Sequence, residues 1–336
     1  MSKETLKLMK WRDKHLNSIS PSFCAAKWYN ASLHLGHGFT NSCHLPLPHP
    51  IDKEEIIKNP SALHNTKHKK QQRKMMLEGK RPSECSYCWK VEDISRDTIG
   101  DRVFKSKPYD HEDIAKIADF TWDSDIMLKT VEVSFDRTCN FACSYCNSGY
   151  STTWGSEMEK NGAYQKFKTH GAAAYHTTGK WAEPYGKNST DNPYVDAFLR
   201  WWPQLALELT ELRITGGEPA ASHNVWKFFE TVKEYPAPNL RLAINSNLGI
   251  NDKLVDKLIK TTHEIDVKEF DIYTSNESFG AHAEYIRDGL DYTIWRNNLI
   301  RVIKEGNVRQ VVIMMTINSL CLFSITEFLD DMMSLK

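Results

Sequence analysis

LKTVEVSFDRTCNFACSYCNSG, residues 128–149, is the stretch on which the reading of this chain turns. Its first part, LKTVEVSF, is an apolar, strand-like run. Cys139, Cys143 and Cys146 follow it at the spacing C-x3-C-x2-C. Three thiolates so close in sequence can wrap one corner of an iron–sulfur cube, and without a fourth local Cys one iron keeps an exchangeable position. On spacing alone two plainer readings stand beside it. One is a zinc site completed by a distant His, the other an electron-transfer cluster completed by a distant Cys.

Beyond this stretch the chain repeats one rhythm. Strand-like runs ELRIT (211–215), LRLAIN (240–245), KEFDIYT (268–274) and RQVVIMMTI (309–317) follow LKTVEVSF. Helical patterns fall at about 194–206, 222–234, 251–262, 281–304 and 322–334, giving the βαβ alternation of a parallel sheet or barrel. The segment 147–192 lacks clear periodicity and reads as a long insertion or loop. Upstream, residues 1 to about 120 show little strand–helix alternation and are rich in His, Lys and Pro, consistent with a small core held by metal.

Bulk properties exclude several classes. With 336 residues the expectation is two domains. Lys+Arg and Asp+Glu both number 43, so no global field draws the chain to nucleic acid or an acidic membrane. No apolar run approaches a membrane span. The charged N-terminus MSKETLKLMKWRDKHLNS has no secretory pattern, so a cytoplasmic location with reduced thiols is expected.

The triplet and its surroundings resemble the radical S-adenosylmethionine (radical SAM) superfamily, in which such a motif follows the first strand and an aromatic residue, here Tyr145, precedes the third Cys. Gly216-Gly217-Glu218-Pro219 after ELRIT resembles that superfamily's GGE motif, whose backbone contacts the cofactor's amino group; glycines permit that close approach. The segment SNESFGAHAEYIRDG (275–289) resembles the ribose and carboxylate segment of the peptide-modifying branch. The resemblance gives Ser275 to the ribose and Arg287 to the methionine carboxylate, a role suited to a planar guanidinium. On the residues alone, an ordinary helix-surface pair of Arg287 with Glu284 or Asp291, both at helical spacing, stands beside that role. Asn245 and Asn247, and Thr316 and Asn318, end two strands and fall on the same rim, or else serve as ordinary turn residues.

Four further cysteines, Cys24, Cys43, Cys85 and Cys88, suffice to close a metal site completely, and local chemistry admits a structural zinc as readily as a cluster. The stretches SFCAAKW, GHGFTNSC and MMLEGKRPSECSYCWKVED resemble the twitch domain of SPASM and twitch relatives. That resemblance implies an auxiliary [4Fe–4S] cluster on these four thiols, with Trp89 and Glu92 matching the pattern. His37 and His44 are near enough in sequence to substitute as ligands. The basic run KHKKQQRK (67–74) reads as a solvated helix face, with RNA or an acidic leader peptide as the alternative. Cys321, in SLCLFSI, reads as a buried hydrophobe.

The expected fold is therefore α/β. It combines a partial (βα)6-type radical SAM barrel over 125–336, with five strands visible and an insertion at 147–192, and a small cysteine-rich twitch-like domain over 1–120. After five strands the sequence stops within an apparent helix, so a sixth strand is either missing or the barrel is short. The resemblance implies reductive cleavage of S-adenosylmethionine to a 5′-deoxyadenosyl radical that attacks a peptide or protein, with an external electron donor such as flavodoxin or ferredoxin. Two alternatives are radical modification of a nucleotide, RNA or small metabolite, and a non-catalytic iron–sulfur or zinc protein. No catalytic acid or base is assigned, since one fold hosts many reactions.

Overall fold

The computed structural model describes residues 2–95, 97–162, 164, 185 and 190–335. Most of the expected insertion beyond 162 therefore lies outside the described residues. The fold is mixed α/β, and the chain divides into two compact units, Met1–Leu33 with Gly38–Val131 and His34–His37 with Glu132–Lys336.

The first unit is more regular than its composition suggests. Strands β1 (Asn30–His34), β2 (Phe39–Asn41) and β3 (His49–Pro50) are short, with β2 and β3 antiparallel and Thr40 opposite His49. Helices Lys3–His15 and Lys67–Leu77 start on hydroxyl caps, Ser2 and Thr66, whose side chains accept from the N–H groups of Thr5 and Lys69. Phe23, Trp28, Leu16, Met76 and Val103 are fully buried together, with the Phe23 and Trp28 rings 4.9 Å apart. Burying each such side chain stabilises by about 1.5–3 kcal/mol. This unit has an apolar core of its own.

The basic run departs from expectation. In the helix Lys67–Leu77, Lys69, Arg73 and Met76 share one inward face at helical spacing, and all three have zero exposure. Lys69 Nζ donates to Thr40 Oγ1 at 2.8 Å, while Arg73 reaches the Lys27 carbonyl, Asn65 Oδ1 and His64 Nε2. Of the remaining cations, Lys67 and Lys70 pair with Glu55 and Asp125. A pattern of charges cannot reveal that two of them have buried polar partners waiting, so the solvated face is corrected at Lys69 and Arg73.

In the second unit, β4 (Thr130–Ser134), β6 (Glu211–Thr215), β7 (Ala237–Ser246), β8 (Val267–Ser275) and β10 (Gln310–Met314) lie side by side in chain order, and β6–β7, β7–β8 and β8–β10 are parallel. Helices Pro193–Glu208, His223–Glu234, Asp252–Glu264 and Tyr292–Glu305 fill the connections. They bury Phe198, Trp201, Trp202, Phe228 and Trp295 against Leu212, Ile214, Leu242 and Ile272 of the strands. Parallel strands joined by helices place all their C-terminal ends on one edge, and loops on that edge converge.

One helix of the sequence reading is broken. Where 281–304 reads as continuous, the chain forms Gly280–Ile286, then a two-residue strand β9 (Arg287–Asp288), then Tyr292–Glu305. β9 pairs antiparallel with β5 (Ala142–Cys143), setting Arg287 opposite Cys143. Gly289, at φ +101°, turns the chain out of β9, a conformation open to glycine at little cost.

Candidate functional site

The loop after β4 carries the three cysteines, and its shape is fixed by its own backbone partners. Asp136, almost fully buried, accepts from the Thr138 N–H and from the Ser222 hydroxyl at 2.5 Å. Thr152 and Thr153, at the start of the helix Thr152–Asn161, donate their hydroxyls to the Cys139 carbonyl. Trp154 Nε1 donates to the Cys143 carbonyl at 2.9 Å, and the Ser151 hydroxyl donates to the Phe141 carbonyl. The first part of the expected insertion is thus a brace for the cysteine loop. Its aperiodic composition gave no sign of this.

Gly216 and Gly217 follow β6, where the cysteine loop crosses. A Cβ on Gly217 would lie 2.3 Å from the Thr138 carbonyl oxygen and 2.6 Å from that of Arg137, so only glycine fits. The Glu218 N–H donates to the Thr138 carbonyl at 2.6 Å. The Glu218 side chain is fully buried and accepts from the Ala220 N–H, the Ser246 hydroxyl and the Asn247 N–H. Its carboxyl ties the turn after β6 to the end of β7, and burial raises its pKa to about 7 against the pull of those donors.

These loops enclose a pocket with about 230 Å³ of free volume, lined by Cys139, Cys143, Cys146, Tyr145, Gly216 and Gly217, with Asn245, Asn247, Ser275 and Arg287 completing its polar wall. Phe141, Tyr150 and Thr215 also face it. Every residue of the sequence-derived cofactor set lines this space except Glu218, which braces it from behind, and Thr316, which is exposed beyond β10. Asn318 is held by its own turn, accepting from the Leu320 N–H and donating to the Thr316 carbonyl.

Arg287 is placed by a residue the sequence reading passed over. Its Nη2 donates to Glu277 Oε2 at 2.7 Å, and the pair is almost entirely buried, with side-chain exposures of 4% and 0%. Neither Glu284 nor Asp291 is its partner: Glu284 accepts from the Tyr292 N–H and Asp291 caps the following helix. The Tyr145 hydroxyl donates to the same Glu277 carboxylate at 3.2 Å, and the guanidinium lies 5.3 Å from the Tyr145 ring centroid. Burial lowers the Arg287 pKa, but Tyr145, Glu277 and Cys143 outweigh it and the net shift is upward. Glu277 sits two residues after Ser275, inside the segment already singled out; a carboxylate ten residues before an arginine was the available signal.

Burial raises the thiol pKa of Cys139, Cys143 and Cys146 to about 11, so these groups carry protons until a cation replaces them. Among the described residues, two polar atoms of pocket-lining side chains are buried without a hydrogen-bond partner: Arg287 Nε, a donor, and Asn245 Oδ1, an acceptor. A bound group offering both an acceptor and a donor would satisfy them.

Cys24, Cys43, Cys85 and Cys88 line a second cavity, within the first unit, together with Lys27, Arg102 and Lys105. Burial raises the thiols of Cys85 and Cys88 to about 12. Trp89 and Glu92 form its frame: Glu92 pairs with buried Arg102 at 2.7 Å, and Trp89 Nε1 donates to the Pro82 carbonyl. His37 and His44 do not line it, and His44 is exposed. Among the described residues, the group whose ligand atoms all lie within 4.8 Å of one another is His49, His68 and Glu84; neither set of thiols forms such a group. A single tetrahedral zinc needs thiolates at about 2.3 Å from one centre, which would bring them closer together than that.

No protein-family model matches this chain, and no curated protein matches it. Among solved structures it is similar to Streptococcus suis SuiB bound to S-adenosylmethionine, with a TM-score of 0.39 and 10% identity over 90% of this chain and 59% of that one. It is similar also to SuiB alone, at 0.38 and 11%, and to SuiB bound to the precursor peptide SuiA, at 0.36 and 10%. The chain spans about three fifths of the length of these structures.

Proposed function

We propose that this chain is a radical SAM enzyme that modifies a peptide or protein. The observation that carries the reading is the one pocket lined by three cysteines, the Gly216–Gly217 turn, and Asn245, Ser275 and Arg287. When bound, a three-thiolate [4Fe–4S] cluster with S-adenosylmethionine supplies one-electron cleavage of a C–S bond and a 5′-deoxyadenosyl radical.

The chain's own residues do the rest. Cys139, Cys143 and Cys146, which line the pocket together, would hold the cluster. Arg287 Nε offers a charged donor to the carboxylate of the amino acid moiety, and the guanidinium is kept in place by Glu277 and Tyr145. The turn at 216–217 leaves its backbone open to the amino group, Ser275 stands by the ribose, and Asn245 Oδ1 accepts from the ligand. Cys24, Cys43, Cys85 and Cys88 would hold an auxiliary [4Fe–4S] cluster, a reading supported by the one cavity they line and by Lys27, Arg102 and Lys105 in its wall, which suit a cluster of net negative charge.

Protein reconstituted anaerobically should hold about eight irons per chain, and about four if the N-terminal site takes zinc. With dithionite and S-adenosylmethionine it should release 5′-deoxyadenosine, and Cys143→Ala should abolish release. A fully iron-loaded protein that forms no 5′-deoxyadenosine would end the enzyme reading.

A further inference from the structure

The four-thiol cavity has an unusual neighbour. Lys27 is 2% exposed and lines the cavity together with Cys24, Cys43, Cys85 and Cys88. Its ammonium donates to Glu84 Oε1, and Glu84 Oε2 accepts from His68 Nε2 at 2.6 Å. Burying a charge costs several kcal/mol unless a partner offsets it. A structural role would be filled as well by an apolar side chain of similar length. The cavity instead keeps a buried ammonium, Lys27, beside the thiols, with Arg102, Lys105 and Asp101 also in its lining, and the Glu84 carboxylate behind that ammonium.

We propose that Lys27 and Glu84 form a charge pair that sets the reduction potential of the auxiliary cluster, the ammonium stabilising the reduced state and the carboxylate limiting that effect. This rests on the cluster reading of the four-cysteine site. Reduction adds one electron from the external donor to the cluster core and makes or breaks no bond, so the whole change at the site is one negative charge. A cation in a buried cavity favours that added charge, because the low local polarisability leaves their attraction poorly screened. Lys27 keeps its ammonium paired with Glu84 and lines the same cavity as the four thiols.

The neighbouring His49, His68 and Glu84 do not form a competing cation site. Both Glu84 oxygens are already taken, by Lys27 and His68, and His49 Nε2 meets Thr66 Oγ1 at 2.9 Å. The buried Lys27 ammonium, already paired with Glu84, opposes a dication there.

The test uses the full chain with Cys139, Cys143 and Cys146 all replaced by Ala, so that only the N-terminal site contributes. A dithionite titration followed by electron paramagnetic resonance reads its midpoint potential. Lys27→Met should move the midpoint negative, Glu84→Gln should move it positive, and Lys27→Arg should leave it near the parent value. A purely structural role would not move the two variants in opposite directions. Should Lys27→Met fail to load iron, the positive shift of Glu84→Gln still decides. Variants that carry about four irons and show no shift, or shifts of the same sign, overturn the proposal. A parent protein that binds zinc and no iron overturns the cluster reading instead.

Discussion

Replacing Glu277 by Ala should destabilise the second unit severely, and the size follows from burial. The Glu277–Arg287 pair is 2.7 Å apart with 0% and 4% side-chain exposure, so truncation leaves a guanidinium buried with no counter-charge. Removing one member of such a pair costs about 3–5 kcal/mol. The Tyr145 hydroxyl loses its acceptor as well, worth about 1 kcal/mol more. A total of about 4–6 kcal/mol is a large share of a domain's stability. Urea denaturation followed by tryptophan fluorescence under anaerobic conditions measures it. The double variant Glu277→Leu with Arg287→Met separates stability from binding. Exchanging a whole buried pair for apolar side chains is often neutral, so it should recover to within about 1 kcal/mol of the parent. It should not regain S-adenosylmethionine binding, because the unpartnered Arg287 Nε has gone with the guanidinium. A Glu277→Ala cost below about 1 kcal/mol, or a double variant no more stable than the single one, would refute the argument that this pair is desolvated.

Two further outcomes follow from other buried groups. Glu218 has a folded-state pKa raised from 4.5 to about 7, so its contribution to stability is complete below about 4.5 and is lost as pH rises through 7. The loss is on the order of 3 kcal/mol at full ionisation, and Glu218→Gln, which stays neutral, should flatten the pH dependence of stability across that window; an unchanged slope would show that Glu218 is not its source. In the basic run, Arg73→Ala should cost about 2–4 kcal/mol, since it removes the buried hydrogen bonds to the Lys27 carbonyl, Asn65 Oδ1 and His64 Nε2. Gln71→Ala on the exposed side should change the thermal midpoint little, and equal effects from both would return the run to a solvated surface.

The strands of the second unit were legible because parallel, doubly covered strands write themselves as apolar runs, and ELRIT runs from Glu211 to Thr215 in both sequence and structure. The glycine turn was legible because Gly217 has no room for a Cβ. The break at Arg287 was not. Helical periodicity continues through 281–304, and only the tertiary pairing of Asp288 with Ala142 and of Arg287 with Cys143 overrides it. Lys69 and Arg73 were misread for a related reason: a charge is expected in water, and its burial depends on His64, Asn65 and Thr40, whose proximity no local window contains. Glu277 escaped because its role is defined by Arg287, a residue itself placed by that unforeseen strand.

The two thiol sites differ in what surrounds them, and on the proposed reading that difference divides the work between them. Around Cys139, Cys143 and Cys146 the pocket has about 230 Å³ of free volume, against about 20 Å³ beside the other four thiols. Around Cys24, Cys43, Cys85 and Cys88 two cations of the lining have partners, Lys27 in Glu84 and Arg102 in Glu92 and the Phe23 carbonyl, while among the described residues Ser42 Oγ and Asp101 Oδ2 are buried without a hydrogen-bond partner. On the cluster reading all four ligands of this site come from the chain, which leaves no open iron for a substrate. What its charges can still do is set how readily an electron stays there, which is why the consequence to seek at Lys27 is a potential and the consequence to seek at Arg287 is a binding constant.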